Sequence, residues 1–388
     1  MSRLSSRLLL TLAVLVPCIA AAGVAAAQHS SSTTVTTTTT APVAYVYVAG
    51  QSGGTGFIYQ YSASPNGQLI PIIGSPLASS VTALALNGKW LFGSAAGINN
   101  QNGIINSYSI AASGLIKQVD TATVNANGYQ PTGLFLDHTG ASLYAELYSS
   151  DITGYETYTI DQANGQITPV GSSGFSAGGS SLTFTSNNQF AYGASCFRFT
   201  PIISGFERRT SDGALMQLGM NTALPAAPAG DQYCPIATAA DPYNDVVISM
   251  DQLPSNGGNP TKYQLAVYTA DKYGNLTTTS TYQNMATLQV EPDTLAMSPR
   301  GVYLAAAGPT GLQVSYMHGS NPLTPLSGVV LPGVYVSKMF WDNNAHLYVE
   351  SYATNRLYVF SVGTAGVKQA PGSPYALPMP TGLIVLPK

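Results

Sequence analysis

Tyr61-Ser62-Ala63-Ser64-Pro65-Asn66-Gly67-Gln68-Leu69 sets out the plan on which the whole chain is built. An aromatic residue ends an alternating run, a glycine follows, and an apolar residue opens the next run. The same order returns at Tyr108, Gly114 and Leu115, and again at Tyr158, Gly165 and Ile167. It recurs at Phe206, Gly213 and Leu215, at Tyr268, Gly274 and Leu276, and at Phe360, Gly366 and Val367. Tyr316 and Leu323 give one more copy, with Asn321 in the glycine's place. Glycine and asparagine reach positive φ at low cost, which a tight hairpin requires. Seven hairpins on one plan are the signature of a repeat architecture.

Each of these hairpins follows another. Gly133-Leu134-Phe135-Leu136 meets the polar turn Asp137-His138-Thr139-Gly140 and continues as Leu143-Tyr144-Ala145. The unit therefore holds four strands, A to D outward from an axis. Strand A is predicted to begin near Val81, Pro131, Ser180, Pro235, Pro292, Val336 and Thr381, a spacing that suits four-stranded blades. Tyr45-Val46-Tyr47-Val48 enters as a strand B with no strand A ahead of it. Gly382-Leu383-Ile384-Val385-Leu386 is a strand A with nothing after it. Joined, the two complete one blade and leave no open sheet edge. The prediction is an all-β, seven-bladed β-propeller over residues 43–388, closed by its C-terminal strand.

The Tyr–turn–Gly–Leu plan, with Gly-Ser-Pro after it at Gly74-Ser75-Pro76 and Gly372-Ser373-Pro374, resembles the YVTN-type propellers. These include the lactonase-like family related to 6-phosphogluconolactonase. The resemblance covers about Ala44 to Lys388 and implies the architecture; for activity it implies a lactone hydrolase only as far as fold implies function. That family often carries Pro-His-His before a strand A, where this chain reads Gln130-Pro131-Thr132-Gly133, so the histidine does not carry over.

Upstream of the repeats, Arg3 and Arg7 precede an apolar run from Leu8 to about Ala22, and Ala25-Ala26-Ala27 follows. That order is expected of a secretory signal peptide over residues 1–27. Pro17-Cys18 offers a second, less favoured reading as a lipid-anchoring site, since Pro17 stands where a small residue is wanted. Residues 28–42 are rich in Ser and Thr and have almost nothing to bury, so they are expected to form a flexible tether. Charged residues make up 8% of the chain, and without Arg3 and Arg7 there are 12 basic against 17 acidic ones. No basic stripe is present, which argues against nucleic acid as a partner. No later segment reads as a transmembrane span. The expected product is exported, periplasmic or extracellular, and monomeric, because a closed ring needs no partner for its edges.

In a propeller the B–C and D–A connections gather at one face, the mouth, and ligands are expected there. His138 and His346 fall in A–B turns and His318 in a C–D turn, all on the opposite face, which reads as turn chemistry; His29 lies in the tether. The candidate ligand-binding residues at the mouth begin with Tyr129, Gln130, Asp151 and Arg198. Further round the rim come Asp231, Tyr233, Asp251, Glu291, Asp293, Asn355 and Arg356. Arg198 and Arg356 have the geometry to hold a carboxylate or phosphate. Glu146 and Glu350 sit at equivalent places near the end of strand B, where other blades have Ala or Ser. They are candidate buried carboxylates with raised pKa values. Their blades are not ring neighbours, so no close acid–base pair is expected. Cys196 and Cys234 fall on adjacent blades at the mouth and are expected to form a disulfide in an oxidising compartment. No metal-ligand spacing, nucleophile elbow or phosphate loop is present, and no cofactor is implied. On residues alone, the favoured reading is a non-catalytic binding or scaffold propeller for a glycan, small molecule or protein. The alternative, carried by the resemblance, is a lactone hydrolase.

Overall fold

A computed structural model of the protein describes residues 41–97, 102–124, 130–149, 152–175, 181–197, 199–219, 222–317 and 323–388. Among them every regular element is a β-strand, and the strands make seven antiparallel sheets set round an axis. Blade 1 is the composite. Its strand A, Pro380–Pro387, pairs with strand B, Ala44–Ser52, with Val385 opposite Val46 and Leu383 opposite Val48. The innermost strands of blades 2 to 7 are Ala83–Leu86, Gln130–Leu136, Thr183–Phe184, Asp231–Ala240, Thr294–Met297 and Lys338–Trp341. Each is followed outward by its own B, C and D strands. The predicted fold and its closure are those observed.

The repeat that discloses the fold also holds it together. The aromatic residue of each copy lies on strand C; Tyr61, Tyr108, Tyr158, Phe206, Tyr268 and Phe360 are buried, and Tyr316 is half-buried. The glycine of the C–D turn has positive φ, +84° at Gly114 and +79° at Gly213. In blades 1 to 5 its bare α-carbon lies against the first residues of strand B in the preceding blade. A Cβ on Gly114 would stand 2.4 Å from the ring of Tyr45, and one on Gly165 would stand 2.5 Å from that of Trp90. The same turns accept hydrogen bonds across the blade gap. Tyr47 donates to the Gly114 carbonyl at 2.8 Å, Tyr144 to Gly213 at 2.7 Å and Tyr192 to Gly274 at 2.8 Å. The Gly-Ser-Pro serines act within their own blades. Ser75 and Ser373 accept from the backbone N–H of Gln60 and Val359, both at 2.9 Å, on strand C.

Two features depart from the predicted plan. A register shift between Pro235 and Thr238 lets the inner hairpin of blade 5 run on toward the mouth. Its strand A begins at Asp231 rather than near Pro235, and its strand B reaches Pro254. His346 is not an exposed turn residue: it opens a strand, is buried, and its Nδ1 lies 2.8 Å from Asp342. Tyr348 donates to the same carboxylate at 3.0 Å. The three form a structural knot beside Gly67 of blade 1. His138 is exposed in its turn, while His318 and Asn321 lie outside the described residues.

Candidate functional site

The innermost strands of all seven blades enclose an axial cavity of about 970 Å³, a volume suited to a small molecule. Leu84, Leu134, Leu182, Thr238, Leu295, Met339 and Leu383 each contribute one wall. At the level where strand A faces the end of strand B, the lining is small: Gly382 opposite Ala49, Ala83 opposite Ser94, Gly133 opposite Glu146. The exception is Lys338, opposite Glu350. Among the described residues it is the one Lys or Arg that lines the cavity, and its side chain is solvent-accessible there. Small neighbours leave room for its four-carbon stem.

Glu146, 5% exposed, also lines this cavity, and Glu350, 0% exposed, lies behind Lys338. Thr132 donates to Glu146 Oε2 at 2.9 Å, and Ser337 donates to Glu350 Oε1 at 3.0 Å. The second oxygen of Glu350 has no partner among the described residues. A Cβ on Gly133 would stand 2.9 Å from Glu146 Oε2, so a larger residue there would push the carboxyl group aside. Burial drives both carboxyl groups up to about 7, opposed by the threonine or serine hydroxyl and by the charge of Lys338. Two carboxyl groups on blades 3 and 7 therefore feel one ammonium. The sequence reading missed the lysine that joins them, although it is the only Lys or Arg in any strand A.

At the mouth, the extended hairpin of blade 5 brings Asp251 toward Glu291 and Asp293 in the connection to blade 6. Burial, and then the charges of Glu291 and Asp293, push Asp251 up to about 7. Asp293 is raised by burial against the effect of Tyr335, whose hydroxyl donates to it at 3.2 Å. The other rim candidates separate by role. Tyr233 is buried with its hydroxyl 2.7 Å from Gln264, so it belongs to the core and not to the mouth surface. Asp231 accepts a hydrogen bond from Gln252. Asn355 has φ +54° and accepts from the Met379 N–H at 3.0 Å, which ties the B–C turn of blade 7 to the closing strand. Arg356 is exposed at the start of its strand. Tyr129, Asp151 and Arg198 lie outside the described residues, as does the side chain of Gln130. Cys196 and Cys234 are bonded, with Cα atoms 5.2 Å apart, joining blade 4 to blade 5 beside Asp251.

This is the architecture of the lactonase-like seven-bladed propellers. A provisionally named 6-phosphogluconolactonase from Bacteroides uniformis superposes with a TM-score of 0.67 over 88% of this chain and 99% of its own, at 13% identity. Another from Bacteroides fragilis gives 0.65, with 88% and 97% covered and 16% identity. A periplasmic gluconolactonase from Pseudomonas aeruginosa gives 0.62, with 88% and 98% covered and 15% identity. No protein-family model and no curated protein matches the chain.

Proposed function

We propose that this protein is an exported lactone hydrolase that works in the axial cavity. The observation that carries the reading is that the Lys338 ammonium lines the same cavity as a carboxyl group, Glu146, and acts on it electrostatically, with that carboxyl tuned near neutrality. Lactone hydrolysis needs a base for water and a positive charge for the oxyanion; a base works best with a pKa near the working pH. Ionised Glu146 takes a proton from water as the oxygen attacks the lactone carbonyl. Lys338 faces the negative charge that develops on the carbonyl oxygen. Collapse breaks the ring C–O bond, and the proton held by Glu146 passes to the leaving alkoxide, giving the open hydroxy acid. Glu350 positions Lys338 from the neighbouring strand.

Family-like neighbours with lactonase names favour this reading over a purely binding propeller, although at this identity they speak for the fold. The leader over residues 1–27 and the tether over 28–42 are read as export features. The Cys196–Cys234 bond is consistent with an oxidising compartment. The protein is taken to act as a monomer on a small-molecule substrate. The test is proton release by the purified protein from a panel of sugar and aliphatic lactones. Glu146→Gln and Lys338→Met are each expected to lower kcat/KM by about 100-fold, the scale of losing a general base or an oxyanion partner. Turnover that neither variant changes would move the chemistry elsewhere. No turnover above buffer on any lactone would leave the ligand-binding propeller as the function.

A further inference from the structure

We propose a second site, on residues other than Glu146, Lys338 and Glu350: the mouth between blades 5 and 6, beside the axial cavity that Asp293 also lines, binds a small organic cation. Asp251 lies within electrostatic reach of Glu291 and Asp293 there, and no ion pair joins any of the three to a basic side chain among the described residues. Asp251 is 8% exposed, and its Oδ1 has no hydrogen-bond partner among the described residues. A buried carboxylate oxygen left without a donor costs free energy that a bound donor recovers. The fold itself imposes this cost, since the blade 5 extension carries Asp251 toward two like charges. The disulfide between Cys196 and Cys234, the residue opposite Asp251, then holds it there.

The lining indicates which cation. These carboxylates do not converge as a metal-ligand group, so no single ion would be shared by all three. An extended amine spans spaced carboxylates where a metal ion does not. Aromatic side chains stand beside these carboxylates. Tyr263 lies opposite Asp251 on the next strand and interacts with Glu291. Tyr335 donates to Asp293, and its ring stands 5.0 Å from that of the exposed Tyr352. Acidic groups interleaved with tyrosine faces suit alkylammonium groups, which gain both charge pairing and cation–π attraction.

Calorimetric titration of the full protein with putrescine tests the site, with 1,4-butanediol as the uncharged isostere and calcium chloride as the metal control. Saturable putrescine binding is expected, at least 10-fold weaker in Asp251→Asn and in the more exposed Glu291→Gln, with no response to butanediol. Thermal unfolding of each variant checks that the fold is kept. Because Asn relieves like-charge repulsion, Asp251→Asn should unfold no earlier than the parent. Putrescine binding unchanged in both folded variants would overturn the proposal. So would equal binding of butanediol, the absence of any putrescine binding, or calcium binding that excludes the amine. Lactone turnover does not enter this readout, so the two sites stand or fall separately.

Discussion

Glu146, Glu350 and Asp251 are carboxyl groups that the fold keeps near neutrality, and this makes stability depend on pH in a defined direction. Burial is the main cause in each, and each is pushed up to about 7 from an ordinary value near 4. The folded chain therefore holds protons that the unfolded chain has already released. The stability these groups contribute is complete below their unfolded pKa values. It is lost as pH rises from about 4 to about 7, at a cost of at most about 3 kcal/mol for each Glu and about 4 kcal/mol for Asp251. Unfolding in urea should accordingly show lower stability at pH 8.5 than at pH 5.5. Glu350→Gln should flatten part of that slope, because the amide keeps the shape and carries no charge. A slope of the opposite sign, or one untouched by Glu350→Gln, would mean that Glu350 is ionised and well solvated in the fold. The groups with lowered pKa values lie on the opposite face. Asp137 is raised by burial but lowered overall by hydrogen bonds from Thr139, Ser142 and Asn188 and by Arg208, 2.6 Å away. Asp342, likewise raised by burial, is lowered overall mainly by His346. Those two oppose unfolding at neutral pH and fail only in acid, so they do not mask the alkaline slope.

At the scale of the element, the C–D turn is the unit from which the propeller is assembled, and its glycine does two jobs. Positive φ turns the chain, and the missing side chain lets a strand B residue of the preceding blade sit on the α-carbon. Gly114→Ala removes both at once: it strains the left-handed backbone and drives a methyl group to 2.4 Å from the Tyr45 ring. The expected loss is about 2–4 kcal/mol, from αL strain plus overpacking. Gly53→Ala is the matched control. Its φ is also positive, +59°, but a Cβ there meets nothing within 4 Å, so only the backbone penalty of about 1–2 kcal/mol remains. Equal losses in the two variants, measured by urea unfolding, would show that the contact with Tyr45 contributes nothing. Positive φ at each of these glycine turns explains why the spacing was so legible in the sequence, and in blades 1 to 5 packing fixes the position as well. The blade 5 extension was not legible, because a register shift between Pro235 and Thr238 has no comparable residue signature. The rim reading of Tyr233, whose side chain is buried against Gln264, followed from it.

Across the whole molecule, closure was legible because a strand B without an A and an A without a B can be counted from the sequence. The axial site was only half legible. Glu146 and Glu350 stand out against the Ala and Ser of other blades, but Lys338 is one lysine in the apolar run Val336 to Trp341. Only the ring shows that it faces Glu146 across the axis. Closure also makes a physical claim that deletion of residues 380–388 tests. That strand buries Leu383, Ile384, Val385 and Leu386 and covers Val46 and Val48 of strand B. Four such side chains at about 1.5–3 kcal/mol each amount to roughly the entire stability of an ordinary domain. Their loss also bares the inner edge of Ala44–Ser52, a long apolar edge of the kind that recruits other chains. The truncated chain should therefore lack a cooperative unfolding transition and run as aggregates on size-exclusion chromatography with light scattering. A peptide of residues 380–388 added during refolding should restore monomer, because antiparallel register is specified along seven consecutive residues of strand B, with one shift after Ala49. A truncated chain that stayed monomeric and unfolded at the parent's urea concentration would show that six complete blades and an open seventh suffice, and that the terminal strand only decorates the ring.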